Sequence, residues 1–333
     1  MAVIQGGPST EAEVSRASGR ALLDAFARRG IAAQAFELTQ ELASELLAWR
    51  PDVAFPVAHG AQGEDGCLQG LLEVLGIPYV GSGVLSSALA FDKDRTKSVL
   101  DAQGLPVPQG RALTDVVQQR EPKELLLELR KQLGPELIVK PQGGGSTIGI
   151  TRLLEDAGPQ NLQEALQEAF AFDPVVLVER YYQGVELTCA VWDQENGPLA
   201  FSPTLIQSEV SDWYDFSAKY AQGGSRHICP APLESDVLLS LQKAAVTAHR
   251  ALGCRDLSRS DFILQKDGSF VVLEVNTLPG FTAMSLYPEA AAEAGKTFEE
   301  LVAGFAHWAH RRGSTRRAEG RALPAGRAVQ GEL

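Results

Sequence analysis

In the amino-terminal third of the chain, short apolar runs alternate with segments of helical period, the pattern of a parallel sheet with helices packed on it. Ala2 to Ile4 reads as a strand and Gly6 to Glu11 as a loop. Glu13 to Arg29 reads as a helix with apolar positions at Val14, Ala17, Ala21, Leu22 and Ala25, closed by Gly30 as its C-cap. Ile31 to Leu38 and Val53 to Val57 follow as strands, then the loop HGAQGEDG, a helix from Leu68 to Leu75, a strand from Ile77 to Val80 and a helix from Leu85 to Gln103. The prolines and glycines of GLPVPQG, Gly104 to Gly110, cannot continue a helix and mark a linker. Beyond it lies a smaller, clamp-like unit. It comprises a helix near Lys123 to Gln132, a strand Leu137 to Lys140, the loop PQGGGST, a strand Ile148 to Leu153, a helix Leu162 to Phe170 and a strand Val175 to Tyr181. Strands near Glu186 to Trp192 and Ala200 to Leu205 come next, then the irregular stretch WYDFSAKYAQGGSRH, a helix Leu233 to Leu252, a hairpin and a helix Thr297 to Arg311. The fold class expected is α/β, turning to α+β after the linker, with units at 1–103, 104–181 and 182–310. No fixed-period repeat is visible.

The hairpin carries the sharpest chemical signal. Its arms, DFIL and SFVVLEVN, meet at Lys266-Asp267-Gly268, and Asp-Gly in a two-residue loop is a strong hairpin signal. That register pairs Lys266 with Ser269, Asp261 with Glu274 and Arg259 with Asn276, and the period of two puts Arg259, Asp261, Glu274 and Asn276 on one face. Like charges directly opposite destabilise a sheet unless a cation lies between them, and two acids with an amide suit magnesium bridging to phosphate oxygens better than zinc or copper. One Asp-Glu pair alone is more often a solvated strand face; Arg259, Asn276 and the following turn NTLPGFT tip the balance toward a site.

Charge and composition narrow the function classes. The chain has 333 residues and a net charge of −12, which argues against general nucleic-acid binding, since phosphate contacts need a basic surface. No run approaches the roughly 20 apolar residues that cross a bilayer, so no membrane partner is expected. MAVIQGG lacks the pattern of a secretory signal, and the expected location is the cytoplasm. Cys67, Cys189, Cys229 and Cys254 are scattered, as for free thiols in a reducing compartment rather than a disulfide or zinc framework. Arg311 to Leu333 holds six arginines against two glutamates with no apolar period, and reads as a disordered tail.

Other candidates are weak one by one. Gln142 to Thr147 places three glycines and two hydroxyls directly after the strand ELIVK; glycines let backbone N–H groups approach a phosphate, with Lys140 supplying charge, though a glycine loop is more often only a flexible turn. The order is not the Walker pattern, and no GxGxxG opens a helix, which leaves a nicotinamide dehydrogenase without its binding turn. GGPSTE, residues 6–11, is an equally weak turn after the first strand, and His59, Glu64 and Asp65 sit among glycines at a strand end where loops commonly form sites. Lys93 reads as exposed without context, while Glu179 and Glu186 flank YYQG, whose Tyr181 and Tyr182 fit an adenine pocket or a plain rim.

Together, GGPSTEAEVS, HGAQGEDGCLQGLLEVLGIPYVGSGVLSSALAFDK, VKPQGGGSTIG, YDFSAKY and RSDF followed by LEVNTLPGFTAMSLYP resemble the D-alanine–D-alanine ligase family from residue 1 to about 310. The resemblance implies an ATP-grasp fold of three domains with ATP between the central and carboxy-terminal ones, a homodimer, and cytoplasmic supply of a dipeptide to peptidoglycan. It further implies that ATP phosphorylates the carboxylate of one D-alanine and the amine of a second attacks the acyl phosphate. Asp261, Glu274 and Asn276 match ligands of two Mg2+ ions, replaceable by Mn2+, and Arg259 with the Gly280 N–H matches groups that stabilise the oxyanion. Lys93 and Lys140 match ATP-phosphate lysines, Glu179 and Glu186 match contacts to adenine and ribose, and Lys219 falls where a lysine reaches the transferring phosphate. Glu11 matches the carboxylate that receives the first substrate's ammonium, supported by His59 and Glu64 and networked with Ser146 and Tyr220; Ser285 with Leu286 fits the docking place of the second substrate's carboxylate. WYDFSAKYAQGG would be a lid that keeps water from the acyl phosphate. The resemblance also implies that Tyr220 goes with D-alanine rather than D-lactate as acceptor; the same fold with D-lactate or D-serine as acceptor is the nearest alternative, with Tyr220 and the surroundings of Ser285 as the discriminating features. Phe91, Phe281 and Thr147 depart from the family's usual residues, and a non-catalytic nucleotide-binding protein of the same fold is the alternative from another class.

Overall fold

The computed structural model describes residues 1–145, 148–208, 224–282 and 284–313. Ser146, Lys219 and Tyr220, most of the expected lid and nearly all of the expected tail lie outside the described residues.

Strands β1 (Ala2–Gln5), β2 (Gln34–Glu37) and β3 (Ala54–Pro56) form a parallel sheet in the order β2-β1-β3. Helix α1 (Ala12–Arg28) lays Leu22, Ala25 and Phe26 on it, and Gly19 lets the helix sit so close that a Cβ would meet Gln5 Oε1 at 1.9 Å. Helices α2 (Leu42–Trp49) and α3 (Cys67–Leu75) complete the layer. The strand expected over Ile31 to Leu38 begins only at Gln34, because Ile31 N–H closes the turn after α1 on Phe26 O at 2.9 Å. Ile77 to Val80 makes one parallel bridge, Ala54 to Tyr79, in place of a strand.

The single helix expected from Leu85 to Gln103 is two, α4 (Val84–Phe91) and α5 (Lys93–Ala102). Asp92 has extended backbone and its carboxylate caps α5, accepting from Arg95 N–H at 2.9 Å. The break turns α5 so that Lys93 and Lys97, one turn apart, are both buried.

Four antiparallel strands follow, in the order β4-β7-β5-β6: β4 (Gly110–Thr114), β5 (Leu137–Pro141), β6 (Thr151–Leu153) and β7 (Val175–Arg180). Helices α6 (Pro122–Leu133) and α7 (Pro159–Phe170) cover this sheet over a core of its own, Leu125, Leu129, Val139, Leu162 and Val178 among it. Both helices open with proline, tolerated there because the first helical N–H has no partner to lose.

The third sheet runs β11-β10-β8-β12-β13 with β9 beside β8: β8 (Val185–Gln194), β9 (Gly197–Ala200), β10 (Thr204–Ser208), β11 (Ser225–Ile228), β12 (Leu257–Leu264) and β13 (Phe270–Asn276). The strand expected over Ala200 to Leu205 is thus two, β9 and β10. Helices α8 (Ser235–Ala251), α9 (Leu286–Glu293) and α10 (Phe298–Arg312) pack around it; α9, like α2, is too short to show a clear period in the sequence.

The first sheet keeps a core of its own, Ile4, Phe36, Leu46 and Leu72 among it, and shares a second with the third sheet. Val3, Phe26 and Phe55 share one cluster with Trp192, Phe281, Tyr287, Leu301 and Phe305, while Ala90 and Leu100 of α4 and α5 join the core under β8 and β12. A buried carboxylate joins the same two units: Asp256 accepts from Gly81 N–H at 2.8 Å and from Arg312 Nη2 at 2.9 Å, and Arg312 Nη2 also reaches Tyr79 O at 2.7 Å. The Gly104 to Gly110 linker is itself held down, with Leu105 and Val107 against the third sheet's core and Pro106 O accepting from Val272 N–H at 2.8 Å.

Candidate active site

The register of β12 on β13 sets the site. Arg259 faces Asn276 and Asp261 faces Glu274, so all four side chains share a face, but the route to that pairing differs from the expected one. The loop has three residues, Lys266 to Gly268, with Gln265 rather than Lys266 opposite Ser269 and Gly268 at φ +84°. Nearer the site a bulge shifts the register between Asp261 and Phe262, leaving Leu273 as the extra residue. The two one-residue shifts cancel. On the other flank β8 presents Thr188 to Asp261, Ala190 to Arg259 and Glu186 to Ile263, which puts Thr188 and Glu186 on the same face.

Asp261 is almost wholly buried and fully engaged. Arg259 forks onto it, Nε to Oδ1 at 2.9 Å and Nη2 to Oδ2 at 2.7 Å; Thr188 Oγ1 donates to Oδ1 at 2.6 Å and Asn276 Nδ2 to Oδ2 at 3.1 Å. Glu274 Oε2 stands 3.3 Å from Lys93 Nζ. The same ammonium donates to Gly144 O, and Lys93 N–H to Gln142 O at 3.4 Å, so Lys93, expected on the surface when read alone, ties the glycine loop to the acidic face. A second buried cluster adjoins it: Lys140 Nζ lies 2.8 Å from Glu179 Oε2 and Lys97 Nζ 2.5 Å from Oε1. Burial alone would push the Glu179 carboxyl up; Lys140 and then Lys97 outweigh it and hold the group below its ordinary value. Tyr181 lies under the Arg152 guanidinium at 3.8 Å, and Tyr182 5.5 Å from that of Arg180.

The loops of the first sheet approach from the other side. Glu11 precedes α1, and its carboxylate is close enough to the glycine loop that a Cβ on Gly145 would meet Oε2 at 3.4 Å. Gly60 N–H donates to Glu64 Oε2 at 2.6 Å, and His59 Nδ1 is 4.0 Å from Glu64 Oε1. Burial works to lower the His59 pKa, but Glu64 and then Glu11 outweigh it and the imidazole ends above its ordinary value. The turn after β13 is braced by Ser18 Oγ, which accepts from Phe281 N–H at 3.3 Å, and by Ser285 Oγ, which accepts from Thr282 N–H at 3.0 Å. Ser285 also lies over Gly280, where a Cβ would meet its Oγ at 3.2 Å; Leu286 opens α9.

Glu11, His59, Glu64, Lys93, Lys140, Glu179, Glu186, Arg259, Asp261, Glu274, Asn276, Gly280, Ser285 and Leu286 are therefore all described. Thr188 and Lys97 were not expected. Thr188 is two residues along the strand from Glu186, so the strand period could have found it; Lys97 is four residues along the helix from Lys93, a signal that places it beside Lys93 only once Lys93 is taken as a site residue. Burial pushes the thiols of Cys189 and Cys254 up, the latter to about 11, so neither is a ready thiolate. Among the described residues no group of three or more His, Cys, Asp and Glu gathers. Two carboxylates and an amide are nonetheless an all-oxygen donor set that fits Mg2+, a cation usually held by one or two carboxylates with the remaining positions filled by phosphate and water.

Comparison with known proteins agrees with this picture. Residues 99–306 match the family described as "D-ala D-ala ligase C-terminus" and residues 33–82 the one described as "D-ala D-ala ligase N-terminus". A D-alanine--D-alanine ligase of Methylobacterium radiotolerans is 44% identical over 306 residues, 91% of this chain and 95% of that protein. Among solved structures, the VanG D-Ala:D-Ser ligase of Enterococcus faecalis is similar at a TM-score of 0.78 and 30% identity, over 92% of this chain and 98% of its own. The D-alanine--D-alanine ligase of Bacillus anthracis complexed with ATP is similar at a TM-score of 0.76 and 29% identity, over 93% and 97%. No helix among the described residues is long and apolar enough to cross a membrane.

Proposed function

The chain belongs to the D-alanine–D-alanine ligase family, and from that premise we propose that it joins two D-alanines at the expense of ATP, for peptidoglycan precursor synthesis. The fold is the ATP-grasp fold, α+β in its nucleotide-binding part. The observation that carries the reading is the single face on which Arg259, Asp261, Glu274 and Asn276 converge, with Lys93 and the glycine loop opposite.

A carboxylate is a poor electrophile until one oxygen becomes a leaving group, and phosphoryl transfer from ATP supplies that. Lys93 and Lys140 are already aimed at carboxylates, and the phosphates would draw both ammoniums away; Glu179 and Glu186 would take adenine and ribose, and Lys219 the transferring phosphate. Asp261, Glu274 and Asn276 would hold two Mg2+ ions, with Mn2+ able to replace them, and the ions supply charge neutralisation at the phosphate oxygens. Glu11, with His59 and Glu64 behind it and Ser146 and Tyr220 in its network, would receive the ammonium of the first D-alanine. Its negative charge fixes which end of a zwitterion it accepts. Ser285 and Leu286 would dock the carboxylate of the second. Arg259 and the Gly280 N–H would stabilise the oxyanion of the tetrahedral intermediate, each donor contributing roughly 3 kcal/mol as oxyanion-hole donors do elsewhere. We place the enzyme in the cytoplasm as a homodimer.

Phosphate release should be measured with ATP and Mg2+ and either D-alanine, L-alanine, D-alanine with D-lactate, or D-alanine with D-serine, reading product masses alongside. The expected result is one D-Ala-D-Ala per phosphate with D-alanine alone. Phosphate matched by a mixed product instead would keep the phosphorylation and replace the acceptor, and no phosphate under any condition would sink the reading. A narrower test concerns Thr188, whose hydroxyl orients Asp261. Thr188→Val keeps the shape and loses the donor. The Mg2+ concentration for half-maximal rate is expected to rise about 10-fold to 100-fold, the usual consequence of losing a group that orients a metal ligand. An unchanged Mg2+ dependence would take Thr188 out of the site.

A further inference from the structure

Lys97 is a buried cation to which the reaction above assigns no task. Its Nζ sits on one oxygen of Glu179 and Lys140 Nζ sits on the other, at 2.5 and 2.8 Å, and side-chain exposures of 7%, 8% and 3% for Lys97, Lys140 and Glu179 keep water from screening any of them. One buried carboxylate needs one cation; a second ammonium is costly to bury and repels the first. The protein nonetheless makes room for it. Asp92 breaks the helix so that Lys97 points inward, and Gly110, opposite Glu179 in the β4–β7 ladder, has no side chain where a Cβ would come within 2.8 Å of Glu179 Cγ and 3.3 Å of Lys97 Nζ.

We propose that Lys97 is the standing counterion of Glu179, a positioning residue whose presence lets Lys140 leave that carboxylate for a phosphate of the nucleotide. The proposal rests on the reading of Lys140 as a phosphate ligand. Counting charges shows why the pair is needed. Before nucleotide binds, two ammoniums share one carboxylate; afterwards each has an anion of its own, Lys97 on Glu179 and Lys140 on phosphate. Without Lys97, Lys140 reaches the phosphate only by stranding a buried carboxylate, so the nucleotide competes with Glu179 for one lysine.

The test is the affinity for ADP with Mg2+, by calorimetry on the full chain, together with the KM for ATP. Lys97→Met is expected to weaken ADP and raise KM by about tenfold or more, with kcat falling less than about threefold, whereas Lys97→Arg stays within about threefold of the unaltered protein. In a Glu179→Gln background, where the neutral amide needs no counterion, adding Lys97→Met is expected to change ADP affinity by less than about twofold. Equal losses in the two backgrounds, or no loss in either, overturn the proposal. If Lys97→Met alone does not fold, Glu179→Gln with and without Lys97→Met decides it, a tenfold loss on adding the lysine change being the contrary result. Lys140→Met separates this proposal from the reading beneath it: unchanged ADP affinity there overturns both, while a loss there beside unaltered affinity in Lys97→Met overturns the counterion role alone.

Discussion

Replacing Asp261 by asparagine is expected to lower phosphate release by at least about a thousandfold, equivalent to roughly 4 kcal/mol of transition-state stabilisation, in a protein that melts within a few degrees of the unaltered one. Asparagine has the same shape and keeps an oxygen for Thr188 Oγ1 and Arg259, so the hydrogen-bonded cluster on this face survives in part. What it loses is the charge. Asp261 is 5% exposed and is gripped by Arg259, Asn276 and Thr188, an arrangement that holds its position without rotamer search. Its neutral replacement leaves Glu274 as the one acid at the centre of the face. Near-normal turnover by a folded Asp261→Asn protein would sink the metal assignment and return the hairpin to a structural role.

Phe281→Ala is expected to destabilise the protein by about 3–5 kcal/mol, the range for deleting a buried aromatic ring from a packed core, read as a shift in the urea midpoint. Phe281 is 1% exposed and its ring centroid lies 5.6 Å from Phe55, 5.8 Å from Tyr287 and Phe298 and 6.0 Å from Phe305. Phe55 belongs to the first sheet and the others to the third unit, so the cavity would open in the seam between them. Phe281→Met nearly fills that volume and is expected to cost under about 1.5 kcal/mol. A loss below about 1 kcal/mol for alanine would mean that the surrounding rings close over the gap.

The site was legible because its chemistry is written at short range. Arg259, Asp261, Glu274 and Asn276 lie on two strands joined by a tight turn, where a period of two decides which side chains meet. That reading reached the observed pairing through two errors that cancel. Had the three-residue loop run on into an unbroken ladder, Glu274 would face Ser260 and leave the acidic face. Nothing in DFILQKDGSFVVLEVN distinguishes a two-residue loop without a bulge from a three-residue loop with one. Long-range pairings were less legible. The burial of Lys93 and Lys97 depends on Asp92 ending a helix whose apolar period continues through it, and the contact of each lysine with Glu274 or Glu179 spans many residues. Resemblance to a family supplied Lys93, Glu179 and Glu11, and it had no motif that pointed to Lys97 or Thr188. The shared core of the outer sheets was invisible for the same reason: Phe26 and Phe305 each look like part of a local amphipathic helix.

That shared core also decides which part of the molecule has freedom to travel. With Asp256 binding both Gly81 and Arg312, and Phe281 wedged across the seam, the first and third sheets are tied into one frame. The middle sheet has its own core and is joined to that frame by two crossings of the chain, one through Pro106, the other through Gly184, where a Cβ would come within 2.2 Å of Leu264 O. Two such crossings favour rotation of the middle sheet about the line between them over other displacements. Clearance for a nucleotide then depends largely on one angle, and the polar ties Lys93 to Gly144 and Lys97 to Glu179 bridge the frame and the middle sheet across it.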